Sequence, residues 1–125
     1  MTVAAATEEW IRDYYTAVDA KDLDTSLQYF GPSSIMRFAN EEPLVGRDAI
    51  EAKVRQLLDG VRGLRHELRE MWEPAENLVV LEGLVTYFRT DGRVVTVPSA
   101  GICRVEPSRW VEQRIYIDLA PVFAA

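Results

Sequence analysis

The stretch LVVLEGLVTYFRTDGRVVTVPSAGICRV, residues 78–105, decides the fold. Two runs rich in β-branched and aromatic residues flank Asp91-Gly92, and Asp-Gly between such runs is a strong hairpin signal. A two-residue loop there pairs Thr90 with Arg93. It sets Phe88 against Val95, Thr86 against Val97, Leu84 against Ser99 and Glu82 against Gly101. One face then carries Glu82, Leu84, Thr86, Phe88, Val95, Val97, Ser99, Gly101 and Cys103. The other carries Leu81, Gly83, Val85, Tyr87, Val94, Thr96, Pro98, Ala100 and Ile102. Both faces are largely apolar, whereas a sheet with one wet side alternates cleanly.

Working outward, residues 64–72 and 110–118 read as further strands, separated from the hairpin by turns at 73–77 and 106–109. The amino-terminal part is helical in pattern. Trp10, Ile11, Tyr14, Tyr15 and Val18 recur at helical spacing over residues 3–20. A short helix over 22–30 stops at Gly31-Pro32, and a strand follows at 34–40. The stripe Ile50, Val54, Leu57, Leu58 marks a third helix over 47–59, ended by Gly60. The order α, α, β, α, β, β, β, β predicts one α+β domain spanning residues 1–125, with three helices on one face of a curved antiparallel sheet. Three helices cover one side only. The other apolar face predicts a homodimer through the outer sheet face, unless the last strand and the tail at 119–125 curl round to cover it.

The chain has 125 residues, with 14 Lys+Arg against 20 Asp+Glu and a net charge of −6. That length is one domain with a sizeable core. The acidic balance excludes a nucleic-acid partner and an anionic membrane surface, both of which need a basic face. A single cysteine, Cys103, forms no internal disulfide. No apolar run reaches the roughly 20 residues of a membrane span, and the N-terminus turns acidic at once, which predicts a cytoplasmic protein. No phosphate loop, dinucleotide fingerprint or metal-ligand spacing is present, so no cofactor and no metal are expected.

A few residues stand out chemically. Glu82 lies inside an apolar strand, where a carboxylate either has a function or takes a salt-bridge partner. His66 is the only histidine. Its strand alternates His66, Leu68, Glu70, Trp72 against Arg65, Glu67, Arg69, Met71, and the first set holds the large apolar residues, which places His66 and Trp72 inward. The last strand has two readings. A two-residue loop at Pro107-Ser108 puts Trp110, Glu112, Arg114, Tyr116 and Asp118 on the Glu82 face; a longer loop or a bulge puts Val111, Gln113, Ile115 and Ile117 there. Cys103 reads as a small apolar filler of a cavity wall.

Several strings resemble the SnoaL-like branch of the nuclear transport factor 2-like superfamily. They are Tyr14-Tyr15, residues 20–24 (AKDLD), Phe30, residues 46–50 (GRDAI), residues 87–93 (YFRTDGR) and residues 114–118 (RIYID). The resemblance covers essentially the whole chain. It implies a cone-shaped curved sheet enclosing an apolar cavity, frequent dimers, and members ranging from polyketide cyclases, ketosteroid isomerases and limonene epoxide hydrolases to non-catalytic binders. Against the isomerase pattern, Tyr14 matches the first-helix tyrosine. Phe38 stands where the aspartate base belongs, and Gly101 at or beside the second acid. Against the epoxide-hydrolase pattern, Asn40 matches, but Phe38, Glu82, Leu84 and Ile115 replace the remaining set. Neither triad is present.

What the resemblance leaves is SnoaL-like chemistry, in which one acid/base pair moves a proton in a dry cavity. His66 and Asp118 fall where such proteins often carry a histidine and an aspartate. The expected activity is cofactor-free isomerisation, cyclisation or dehydration of a small apolar, carbonyl-bearing molecule. His66 or Asp118 is the base, with Glu82, Asn40 and Tyr14 polarising or positioning. Phe38, Trp72, Ser99, Cys103 and Tyr116 complete the candidate lining. The alternative is a non-catalytic ligand-binding or dimerisation module of the same fold.

Overall fold

A computed structural model describes residues 2–125. Helix α1 (Ala5–Asp19) buries Trp10, Ile11, Tyr14, Ala17 and Val18, the stripe its 3.6-residue period dictates. Helix α2 (Leu23–Leu27) is shorter than its pattern suggested. Its N-terminus is capped by Asp22, whose carboxylate accepts from the Thr25 backbone N–H and hydroxyl at 3.2 and 2.7 Å. Strand β1 (Phe30–Phe38) starts directly after it, and β2 (Leu44–Val45) leads into α3 (Arg47–Asp59). Pro32 is tolerated within β1 because pairing is irregular between Phe30 and Ile35. Ser34 bridges that gap: its hydroxyl accepts from the Gly31 N–H at 2.8 Å and donates to the Trp110 carbonyl at 2.6 Å.

Four long strands follow: β3 (Gly63–Ala75), β4 (Leu78–Phe88), β5 (Val94–Glu106) and β6 (Arg109–Ile117). The tail forms a fourth, short helix α4 (Ala120–Phe123). All six strands make one sheet in the order β2-β1-β6-β5-β4-β3. The expected α+β architecture is present, with one correction. The sheet is mixed, because β1 runs parallel to β6 while every other pair is antiparallel. The intervening helix and meander supply the long crossover that a parallel pair requires.

The central hairpin has a three-residue loop, not two. Arg89 and Arg93 close it, with the Arg89 N–H donating to the Arg93 carbonyl at 2.8 Å and the Gly92 N–H to the Arg89 carbonyl at 3.1 Å. Gly92 adopts φ +91°, the left-handed bulge position that ends such loops. Asp91 holds the geometry by accepting from the Arg93 N–H at 3.1 Å and the Arg89 guanidinium at 2.8 Å. The extra residue shifts the register by one, so Leu81 opposes Gly101, Val85 opposes Val97 and Glu82 opposes Ala100. A shift of one turns a strand over. The helix-covered face therefore carries Val79, Leu81, Gly83, Val85 and Tyr87 with Val95, Val97, Ser99, Gly101 and Cys103. The expected grouping of Glu82, Leu84, Thr86 and Phe88 with the second set is overturned.

Two bulges act likewise. In β6 the two-residue Pro107-Ser108 loop is present, but an irregularity between Arg104 and Val105 leaves Val111 unpaired, with Trp110 opposite Val105 and Gln113 opposite Cys103. Trp110, Gln113, Ile115 and Ile117 face the helices; Glu112, Arg114 and Tyr116 face out. In β3 a shift between Leu68 and Glu70 brings Met71 opposite Leu81 and Trp72 opposite Val80, on the outer side.

The core has two parts. The larger gathers Trp10, Tyr14, Phe30 and Trp110, packed edge to face, between α1 and the sheet. The smaller joins Val61, Val85, Tyr87 and Val97 to Val122 of α4. The tail thus packs on the inner side at one end of the sheet. The outer face stays uncovered, with Val94 57%, Tyr116 48% and Trp72 36% exposed.

Candidate functional site

Between the helices and the inner face lie two adjoining compartments, of about 60 and 40 Å³. Tyr15, Phe38, His66, Tyr87 and Ile115 border both. The larger is completed by α1 and α3 and by Tyr14, Met36 and Gln113. The smaller reaches toward Ser99 and Gly101.

His66 comes from β3 and faces this space. Its partner is Asp19, the last residue of α1, which is not among the residues expected at the site. The Asp19 carboxylate accepts from the His66 backbone N–H at 2.8 Å and lies 2.6 Å from ring Nδ1. Both side chains are mostly buried, at 15% and 23% exposure. A carboxylate at a helix C-terminus sits against the negative end of the helix dipole, at a cost of about 0.3–1 kcal/mol. Hydrogen bonds to a charged group, each about 1.5–3 kcal/mol, offset that cost. With Nδ1–H directed at Asp19, a neutral imidazole keeps its lone pair on Nε2, the nitrogen left for the cavity. The ring also stacks at a tilt of 42° on Tyr15, with centroids 4.6 Å apart.

The opposite wall is polar at one point. Gln113 is fully buried, its Nε2 3.4 Å from the Tyr15 hydroxyl, and its Oε1 has no partner. Burial pushes both Tyr14 and Tyr15 well above the ordinary tyrosine pKa, so both keep their protons. Neutral phenols in a dry site are hydrogen-bond donors at every physiological pH.

The other candidates are dispersed. Tyr14 and Phe38 form cavity wall, and Ser99 borders the smaller compartment. The Lys53 ammonium sits 5.3 Å over the Phe38 ring, paired to Glu41 at 2.6 Å. Asn40 is exposed in the turn after β1, because Ala39, at φ +54°, ends the alternation that would have put Asn40 on the face of Phe38. Cys103 is core, 1% exposed, with its thiol against the Arg114 carbonyl at 3.9 Å. Desolvation pushes that thiol up to about 12. Trp72 lies on the outer side because of the β3 bulge.

Glu82, Tyr116 and Asp118 do come together, but around a groove on the outer side with Pro98, Ala100 and Pro121. The hairpin register places Glu82 there, and the β6 bulge places Tyr116 and Asp118. Asp118 has a structural task, accepting from the Ala120 N–H at 2.9 Å at the start of α4. Among the described residues no three His, Cys, Asp or Glu side chains are grouped to hold a metal ion. No helix among them is long and apolar enough to cross a membrane.

A curved, unclosed sheet wrapped around a helix-covered apolar cavity defines the nuclear transport factor 2-like class of α+β proteins. Within that class the chain belongs to the SnoaL-like domain family, whose model matches residues 11–113. An NTF2-like protein of unknown function from Burkholderia pseudomallei K96243 superposes with a TM-score of 0.82 at 20% identity, covering 95% of each chain. A protein with a ketosteroid isomerase-like fold from Catenulispora acidiphila DSM 44928, in complex with trimethylamine, gives 0.82 at 15% identity over 93% of this chain and 90% of that one. TerC co-crystallised with polyporic acid gives 0.81 at 15% identity over 94% and 95%. No curated protein matches in sequence. Likeness at this level carries the fold and not the reaction.

Proposed function

We propose that the cavity binds a small, mostly apolar carbonyl compound and that His66 catalyses a cofactor-free proton transfer on it. The observation that carries this reading is the Asp19–His66 pair, a hydrogen-bonded carboxylate and imidazole at the wall of an otherwise apolar space. His66 Nε2 takes a proton from the carbon next to the carbonyl, and Asp19 stabilises the imidazolium that forms. The electron pair moves onto the carbonyl oxygen, and the Tyr15 hydroxyl donates to the resulting enolate. Return of the proton to a different carbon gives isomerisation; attack of the enolate on a second carbonyl, whose oxygen takes the proton from the imidazolium, gives cyclisation; loss of a β-hydroxyl as water, protonated by the imidazolium, gives dehydration. Asp118, Glu82 and Asn40, which line neither compartment, have no part in it. That some structural neighbours hold small ligands is consistent with a binding cavity.

The test is exchange of the α-protons of cyclopentanone and cyclohexanone with solvent deuterium, followed by proton NMR. The reading expects saturable, protein-dependent exchange that His66→Gln abolishes. Binding of both ketones with no exchange above the buffer rate would reduce the site to a non-catalytic binding cavity.

We further propose that two copies pair through the outer sheet face. Its support is the partly exposed apolar surface formed by Leu84, Val94, Ile102 and Tyr116, which α4 meets only at its edge, where Pro121 and Tyr116 border one groove. Sedimentation at micromolar concentration tests it, with a dimer expected for the wild-type chain and a monomer for Tyr116→Glu.

A further inference from the structure

The most unusual polar atom in the molecule is Oε1 of Gln113. It is fully buried and unpaired, on a residue that forms part of the cavity wall. An orphaned amide oxygen in such a place costs about 1–3 kcal/mol, so it calls for a donor. Among the described residues none reaches it: the Trp110 indole N–H, also unpaired, is not within hydrogen-bond geometry of it, and the Arg114 guanidinium on the other side of β6 is turned to the Ile102 carbonyl at 3.1 Å.

The neighbouring hydroxyl makes the requirement more specific. Gln113 Nε2 donates to the Tyr15 oxygen, which leaves the Tyr15 proton free to donate elsewhere. A ligand group that fits both must donate to Oε1 and accept from Tyr15 at once. A hydroxyl or enol O–H does so; an ether or ketone oxygen only accepts, and an ammonium or amide N–H only donates. Size sets the second limit. Pockets for drug-sized molecules run to roughly 300–1,000 Å³, far above these two compartments.

We propose that Gln113 and Tyr15 are the recognition end of the cavity and select a hydroxyl- or enol-bearing ligand no larger than a single ring. This rests on the cavity being the binding site and places at Gln113 the same oxygen that Tyr15 serves in the proposed reaction, which in its enol form donates to Oε1. Because the selection concerns binding, it stands or falls separately from proton transfer at His66.

Three probes of nearly equal shape test it: phenol, toluene and fluorobenzene, titrated against the full chain and followed by backbone amide shifts of residues around the cavity. Phenol is expected to bind at least tenfold more tightly than either of the others. In Gln113→Leu the phenol preference is expected to fall to within twofold, with toluene still bound. Equal affinity of the wild-type chain for phenol and fluorobenzene overturns the proposal without recourse to a variant. So does a full phenol preference in Gln113→Leu. Phenol selectivity together with ketones that bind but do not exchange would leave this proposal intact and remove the catalytic one.

Discussion

Replacing Asp19 with asparagine separates a base-orienting role from a structural one. The side chain keeps its size, and its remaining carbonyl oxygen still accepts from the His66 backbone N–H, now 2.8 Å from Asp19 Oδ2. What is lost is the acceptor 2.6 Å from ring Nδ1. The amide places an N–H there, so Nδ1 must accept and the imidazole proton moves to Nε2. Loss of a charge-assisted bond costs about 1.5–3 kcal/mol. Relief of the carboxylate at the helix C-terminus returns about 0.3–1 kcal/mol. The net is a destabilisation of about 0.5–2.7 kcal/mol, a fall in melting temperature of roughly 2–12 °C. The effect on proton abstraction is far larger, because Nε2 no longer carries a lone pair, and a general base contributes about 10²–10⁴-fold. His66 is the only histidine, so the ring-nitrogen NMR spectrum reports one imidazole without assignment. The wild-type ring should show a bare Nε2, and Asp19→Asn a protonated one, alongside a loss of ketone exchange of that size. A wild-type spectrum with the proton already on Nε2 refutes the reasoning, whatever the exchange rates.

Gly83→Ala should lose at least about 2 kcal/mol in a denaturant titration, because a Cβ at that position runs into the Glu67 carbonyl where β3 crosses close to β4. Cys103 should resist iodoacetamide at pH 8 in the native protein and react at the unfolding rate, since burial holds the thiol at about 12; alkylation of the folded chain within minutes contradicts its placement in the core. Stability should fall at alkaline pH. Tyr87 and Cys103 both rise to about 12 on folding, mainly by desolvation, so their neutral forms favour the native state fully below about pH 9 and that advantage disappears as pH climbs to 12. Urea midpoints at pH 8 and pH 10.5 should differ by more than the effect of net charge at neutral pH, and equal midpoints count against the burial of both groups.

Periodicity carried most of the fold. Residues 47–59 form a helix with the bounds their stripe set; β4, β5 and β6 fall where their β-branched runs lie, and β3, which has no β-branched residue, falls where its side chains alternate. What pattern could not carry was the placement of side chains on faces, because that depends on whether a loop or bulge holds one residue more. Asp91-Gly92 marks a turn in either register; the extra residue is fixed by Asp91 bonding Arg89 and Arg93 and by the left-handed Gly92. The same limit misplaced Glu82, Trp72 and Tyr116. Gln113 belonged to one of the two readings of the last strand, and only the unpaired Val111 decides for it. Asp19 was missed because an acidic residue near a helix end looks like solvated surface. The available signal was its sign: a lone carboxylate in the last turn of α1, with no basic residue there, opposes the helix dipole and implies a partner elsewhere. The parallel pairing of β1 with β6 joins residues 77–80 apart in the chain, a distance that local spacing does not register.

The closure of the Arg89–Arg93 loop bears on how sites are compared between relatives. Which residues close the turn, not how many lie within it, decides which half of β4 or β5 faces the cavity. Deleting Thr90 would leave Arg89 opposite Arg93 across a two-residue Asp91-Gly92 loop, with Val85 and Tyr87 still on the inner face. Relatives that differ in that turn are therefore matched pair by pair outward from the residues that close it. For a lineage exploring new ligands, a change of turn length leaves the chamber alone, whereas an extra residue inside a strand, as at Val111, turns over everything beyond it.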